Sequence, residues 1–238
     1  PGLWAGSAAM TGDLTDAADA LKQRYPDLPL FLLGESMGGA VIMAALASDD
    51  PPPADGIILA APAVWARSTM PWIQHTALWL SAHTMPWAKL TGRGIKIQAS
   101  DNIEMLRGLG RDPLVIKETR VDAIYGLVNL MDQALAAAPD IAAPALLLYG
   151  QRDEVVPKDP TFQLWRSLPA ADRKLQRQAL YENGWHMLLR DLDAPIVRRD
   201  IAVWIADPQA PLPSGADAKA AAALTAPAEA ADSDHDRD

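Results

Sequence analysis

A chain of 238 residues, half of them hydrophobic, can bury one sizeable core without requiring two. Thirty acidic against 21 basic residues give a formal charge of −9, which supplies no basic field for nucleic acid. The absence of cysteine excludes disulfides, thiolate zinc sites and a cysteine nucleophile, and no run of about 18 apolar residues is present to span a bilayer as a helix.

In chain order, residues 12–25, GDLTDAADALKQRY, predict an amphipathic helix: Leu14, Ala17, Ala18, Leu21 and Tyr25 share a stripe that Pro26 ends. Residues 28–33 form a short apolar run typical of a strand buried on both faces. A helix over 40–47 follows and stops at Asp49, Asp50 and three prolines. Residues 56–60, GIILA, predict a second strand, and 145–149, ALLLY, a third. A weaker fourth strand lies at 174–180, and two last helices fall near 160–168 and 194–206. This alternation indicates an α/β fold with a mainly parallel sheet flanked by helices.

Between the second and third strands, about 63–139, lies a stretch too long for a connection, which reads as a helical cap. Pro71 suits the first turn of a helix with Ser68 or Thr69 as its cap, and 121–138 is a second helical stretch able to complete the cap. Five of the eight tryptophans precede residue 88. Trp72, His75 and Trp79 share one helical face with Leu78 beside it, which suits either packing onto the body or an apolar lid. From 207 to 238 the chain is rich in Ala, Pro and Asp with almost no large apolar residue, the composition of a disordered tail following a domain over 1–206.

Gly34-Glu35-Ser36-Met37-Gly38 fits G-x-S-x-G between a strand and a helix. In so tight a turn, side chains two positions to either side of the serine are expected to clash, which suits glycine. The hydroxyl then projects above the sheet beside a helix N-terminus, where developing negative charge is favoured, and the Met37 N–H is placed to donate to an oxyanion. The turn is expected to direct Glu35 away. A serine needs a base, and such an elbow takes its acid and then its histidine later in the chain. Of four histidines, His75 and His83 fall in the cap and His235 in the tail. His186, in YENGWHMLLRD, follows the last strand. Asp153, three residues past Gly150 in YGQRDEVVP, can fix its tautomer, and Glu154 is the adjacent rival.

GESMGG, YGQRDEVVP and NGWHMLL, in this order, resemble the α/β-hydrolase superfamily. More narrowly they resemble the monoacylglycerol lipase and lysophospholipase group, which shares its domain type with serine aminopeptidases. The resemblance covers about residues 1–206. It implies Ser36 as nucleophile, Asp153 as acid and His186 as base. On the residues themselves, the tryptophans of the insert, Trp65, Trp72 and Trp79 among them, read as an apolar lid on the substrate side. The resemblance implies a serine ester hydrolase acting on monoacylglycerol or lysophospholipid; the mechanism needs no metal or organic cofactor, the acidic charge offers no field for nucleic acid, and the cap tryptophans suit peripheral membrane contact. A short-chain esterase, a serine aminopeptidase and a non-catalytic hydrolase-like fragment binding lipid or a partner are the alternatives. The family carries further strands and a His-Gly oxyanion loop ahead of the elbow. This chain opens PGLWAGS without Met and has no His-Gly pair. The expectation is therefore an N-terminally truncated fold with an exposed sheet edge at the elbow strand, in a cytoplasmic or peripheral membrane setting.

Overall fold

Each apolar run that alternates with a helical stretch becomes a strand of one parallel sheet. A computed structural model describes residues 2–92, 96–169 and 175–225. Among these, the strands are β1 (Phe31–Glu35), β2 (Gly56–Ala60), β3 (Lys89–Thr91), β4 (Glu118–Arg120), β5 (Ala145–Gly150) and β6 (Gln176–Tyr181). The helices are α1 (Ser7–Arg24), α2 (Met37–Leu46), α3 (Trp72–Thr84), α4 (Ile103–Arg111), α5 (Val121–Ala137), α6 (Lys158–Ser167), α7 (Ala194–Ala206) and α8 (Ala216–Thr225). The main sheet has the order β1-β2-β5-β6, all parallel, with Leu33 beside Ile58, Leu59 beside Leu147 and Leu148 beside Ala179.

The pleat sends alternate residues to opposite faces, so continuous apolar strands need cover on both. Leu32, Ile57, Leu59, Leu147 and Tyr149 pack into one core with Met43 of α2, Met131 and Leu135 of α5, and Phe162 and Trp165 of α6. Ile58, Leu146, Leu148 and Tyr181 pack on the other face against Leu188 and Val197, Ile201 and Trp204 of α7. The predicted strand at 28–33 sits three residues later, and its burial on both faces is incomplete. Among the described residues β1 pairs only with β2, and Leu33 is 46% exposed. In α1, Leu14 and Ala18 reach the core, while Leu21 and Tyr25 of the predicted stripe are exposed.

The insert differs from a purely helical cap in two respects. β3 and β4 pair antiparallel within it. Its last helix, α5, belongs to the body: Val128, Leu130, Met131, Ala134 and Leu135 are buried in the main core. Arg67 fastens the start of the insert to α5 by pairing with Asp132 and donating to Asn129 Oδ1 at 2.8 Å. Pro71 is the N-cap of α3 rather than its first helical residue, and no side chain caps that helix. Thr69 instead donates to the Ala66 carbonyl.

The chain stays packed well past residue 207, where its composition predicts a tail. Leu212 and Ala216 join the α7 side of the core, and Ala220 of α8 joins the opposite one. Arg177 of β6 pairs with Asp217 at 2.9 Å and donates to the Pro208 and Gln209 carbonyls. Small alanines let α8 approach closely, so few large side chains are needed to hold it. The rest of the predicted tail, 226–238, lies outside the described residues. Leu212→Ala is expected to cost about 2–3 kcal/mol in urea unfolding, whereas a solvated tail would give no change.

Candidate active site

Ser36 sits where β1 hands over to α2, at φ 53° and ψ −118°. Such angles are strained for a residue with a side chain and persist only where the surroundings impose them. Here they do: Ser36 N–H donates to the Ala60 carbonyl at 2.9 Å, and the Ser36 carbonyl accepts from the N–H groups of Gly39, Ala40 and Ala63. A Cβ on Gly34 would lie 2.5 Å from backbone atoms of Gly38 and Gly39, and one on Gly39 would lie 2.9 Å from Pro62. Gly38 corrects the sequence expectation. Among the described residues, its chain neighbours and its own helix backbone apart, no heavy atom lies within 4 Å of a Cβ placed there, so the glycines pressed against the rest of the turn are Gly34 and Gly39. Met37 is the first residue of α2, with its side chain exposed. Its N–H is one of the first-turn donors that helix geometry leaves unpaired.

The acid and the histidine come from the loops after β5 and β6. Those loops meet because two glycines allow backbones to touch. A Cβ on Gly150 would lie 2.5 Å from the Gly184 carbonyl carbon. Arg152 N–H donates to the Gly184 carbonyl, and Gln151 N–H to that of Tyr181, each at 2.9 Å. Asp153 then turns inward with its side chain fully buried. Its Oδ1 accepts from the N–H groups of Val155 and Val156 at 2.7 and 2.9 Å, and its Oδ2 bonds His186 Nδ1 at 2.9 Å. Glu154 is engaged elsewhere, accepting from Gln98 N–H at 2.6 Å. His186 is 7% exposed. With Nδ1 held by the carboxylate, Nε2 is the nitrogen left to exchange a proton, an arrangement suited to general base chemistry. Among the described residues the Ser36 hydroxyl makes no hydrogen bond; nucleophile–base contacts commonly tighten only when substrate is bound.

Glu35, next to Ser36, ends β1. It is half-buried, and its Oε1 is buried without a partner among the described residues. Burial raises its pKa, opposed by the charges of His186 and Arg190. A raised carboxylate pKa means that the folded state prefers the neutral form, so stability is lost as pH rises through the folded value. Glu35→Gln is accordingly expected to raise the thermal midpoint at neutral pH, with the gain vanishing as pH falls toward about 4.

The three tryptophans fall in different surroundings. Trp65 is partly buried against the core. Trp72 and Trp79, on α3, are 70% and 51% exposed. Trp79 stacks on His83 at 4.4 Å, and His83 meets the edge of Tyr125 at 5.6 Å. None of the three makes a hydrogen bond or ring contact with Ser36 or His186. His235 lies outside the described residues. The sequence reading missed Ser100 and Asp191, which lie against the His186 loop; they are 91 positions apart, and no local pattern joins them. Among the described residues no group of three or more His, Cys, Asp or Glu could hold a metal, and no helix is long and apolar enough to cross a membrane.

Comparison with known proteins gives a consistent picture. The family model described as serine aminopeptidase, S33, matches residues 1–193. The chain is similar to the monoglyceride lipase of Rattus norvegicus, 29% identical over 198 residues that cover 81% of this chain and 63% of the relative. It is also similar to that of Mus musculus, 30% identical over 183 residues, covering 76% and 58%. A caffeoylshikimate esterase of Arabidopsis thaliana is 28% identical over 193 residues, covering 76% and 56%. The chain thus spans less than two thirds of the length of these curated relatives. In fold it resembles a monoacylglycerol lipase of Paleococcus ferrophilus, with a TM-score of 0.64 at 22% identity over 82% of this chain and 74% of that one. A soluble variant of monoglyceride lipase from Saccharomyces cerevisiae gives 0.65 at 19% identity, over 84% and 68%.

Proposed function

The chain belongs to the serine aminopeptidase S33 family of α/β-hydrolases, and on that premise we propose that it is a serine hydrolase of the lipase/esterase type. Its substrates are carboxylic esters of lipids, monoacylglycerol or lysophospholipid, cleaved through an acyl-enzyme. The observation that carries this reading is the buried Asp153–His186 bond, built on the loops after β5 and β6, in a chain that also holds Ser36 at a strained elbow. The relatives named as lipases and an esterase favour an ester over a peptide as substrate.

In this mechanism His186 Nε2 takes the Ser36 proton as Oγ bonds the ester carbonyl carbon. Met37 N–H, at the positive end of α2, donates to the oxyanion. The carbonyl re-forms as the C–O bond to the alcohol breaks, and the alcohol leaves with the proton from His186. Water then repeats the sequence on the acyl-enzyme and frees the acid. Asp153 keeps Nδ1 protonated and balances the imidazolium without itself taking the proton. No step calls on a metal or an organic cofactor.

Trp65 and the exposed face of α3 form the side from which a lipid is delivered. Among the described residues α3 has no buried residue, and Trp72, Ile73, Trp79 and Leu80 are all exposed. An exposed apolar helix with aromatic residues suits the headgroup region of a membrane. Tryptophan fluorescence should blue-shift on phosphatidylcholine vesicles, and a spectrum unchanged by vesicles would remove the membrane contact from this reading.

The decisive test is fluorophosphonate labelling with mass-spectrometric site mapping, on the chain and on Ser36→Ala. Labelling only at Ser36, abolished by the substitution, is the expected result. A panel of monoacylglycerols, lysophospholipids, short-chain esters and peptides then ranks the substrates. A folded chain that takes no label would refute hydrolase activity for it.

A further inference from the structure

Backbone N–H groups on either side of His186, those of Trp185 and Met187, are both held by hydrogen bonds. Trp185 N–H donates to Asp191 Oδ2 at 2.8 Å, and Met187 N–H donates to the Ala99 carbonyl at 2.9 Å. The other oxygen of Asp191 accepts from Ser100 Oγ at 2.6 Å, so one carboxylate joins the histidine loop to the insert. Ser100 is fully buried and Asp191 is 5% exposed. Two further bonds join the same segments: Asn102 Nδ2 donates to the Arg190 carbonyl at 3.0 Å, and Leu192 N–H to Asp101 Oδ1 at 2.8 Å. At its other end the segment reaches the acid loop through Gln98 N–H and Glu154. Asn102 also caps α4, accepting from Met105 N–H at 3.1 Å. Residues 98–102 therefore run from the loop of Asp153 to the loop of His186 and lead directly into a helix of the insert.

Burying a carboxylate is costly unless its oxygens are satisfied. An apolar pair of similar volume would often stabilise a fold as well or better. What Asp191 does that an apolar residue could not is accept two donors at once, from segments on either side of it. Burial raises its pKa, with the Ser100 and Trp185 bonds opposing, while Asp101 and Asp153 add to the rise.

We propose that Ser100 and Asp191 are positioning residues for His186, a buried clasp through which the insert sets the place of the base. This rests on the reading of His186 as the general base of Ser36. Neither residue touches the reacting atoms. The clasp holds the Gly184–Trp185 peptide, one residue before His186, Ala99 holds the His186–Met187 peptide, and together they fix where Nε2 stands relative to the elbow.

The test compares the parent chain with Asp191→Asn, the milder Ser100→Ala, and Asp217→Asn as a stability control. The control removes the Arg177 ion pair that anchors α8 and leaves the histidine loop alone. Three readouts are needed: the thermal midpoint, the fluorophosphonate labelling rate with kcat and KM on a soluble ester, and the downfield proton resonance of His186 Nδ1–H bonded to a carboxylate. In Asp191→Asn the labelling rate and kcat should fall by about tenfold to a hundredfold, the scale of a small misplacement of a catalytic group, with KM little changed. The His186 resonance should shift or broaden, Ser100→Ala should show the same effects more weakly, and Asp217→Asn should lower only the midpoint. Variants that keep the parent's rate and resonance would overturn the clasp, as would a loss of rate that Asp217→Asn matches at equal midpoint. If the parent takes no label but its His186 resonance responds to Asp191→Asn and not to Asp217→Asn, the clasp stands and the hydrolase reading fails.

Discussion

Replacing His186 with Ala is expected to lower ester turnover by about 10⁶-fold, and removing Ser36 as well should cost almost nothing more, because residues acting as one unit are not additive. Asp153→Asn should cost roughly 10⁴-fold, and its cause can be read from the geometry. Asp153 Oδ1 accepts two backbone N–H groups, from Val155 and Val156. An asparagine must keep its carbonyl oxygen there, since an amide nitrogen would face two donors. Its NH₂ is then turned toward His186 Nδ1, which must become an acceptor. The proton moves to Nε2, and the base is lost with the backbone unmoved. Steady-state kinetics on the single and double variants would check both statements; an Asp153→Asn variant with near-parent kcat would contradict the tautomer argument.

The second large effect is expected from one methyl group. Gly150→Ala places a carbon 2.5 Å from the Gly184 carbonyl carbon, a backbone atom that no rotamer change can move aside. The loops after β5 and β6 must separate, at a cost of about 3 kcal/mol, the upper range for overpacking a close-packed site. Because those same loops carry Asp153 and His186, turnover should fall together with stability. Gly38→Ala is the contrasting case. Outside its chain neighbours and its own helix backbone no described atom lies within 4 Å of the new carbon, and alanine is favoured over glycine in a helix by about 1 kcal/mol. That variant should match the parent or exceed it in urea. Equal midpoints for the two alanine variants would show that backbone contact does not set the loop spacing.

The contrast between these glycines also shows what could be read from the sequence. G-x-S-x-G marks the elbow correctly but does not say which glycine is pressed. Gly39, outside the pattern, meets Pro62, a neighbour that only the folded turn supplies. The strands were legible because a buried parallel strand is a continuous apolar run, and the second strand matches its prediction at both ends. The placing of Asp153 and His186 on loops after β5 and β6, where they meet, was legible because each follows an apolar strand run. α8 was not, because its anchors are distant: an ion pair from Arg177 across 40 positions, and alanines whose smallness suits close packing but carries little hydropathy signal. Helix α5 was recognised as a helix and misassigned to the cap. Periodicity reveals an apolar face but not the surface that the face meets. Ser100 and Asp191 carried no signal, since a hydrogen bond between segments 91 positions apart leaves no local pattern.

The position of β1 has a consequence for the order in which the molecule comes apart. Asp153 hangs from β5, which has a bonded strand on each side, and His186 from β6, an edge strand that α8 braces through the Arg177–Asp217 pair. Ser36 hangs from β1, which among the described residues has one strand neighbour and a half-exposed leucine at its centre. Opening free energies within a protein range from near zero to the global value, and elements with few neighbours lie at the low end. The serine end of the site is therefore the first to fray. In mild denaturant, fluorophosphonate labelling at Ser36 is expected to be lost while the Asp153–His186 bond and most of the sheet persist.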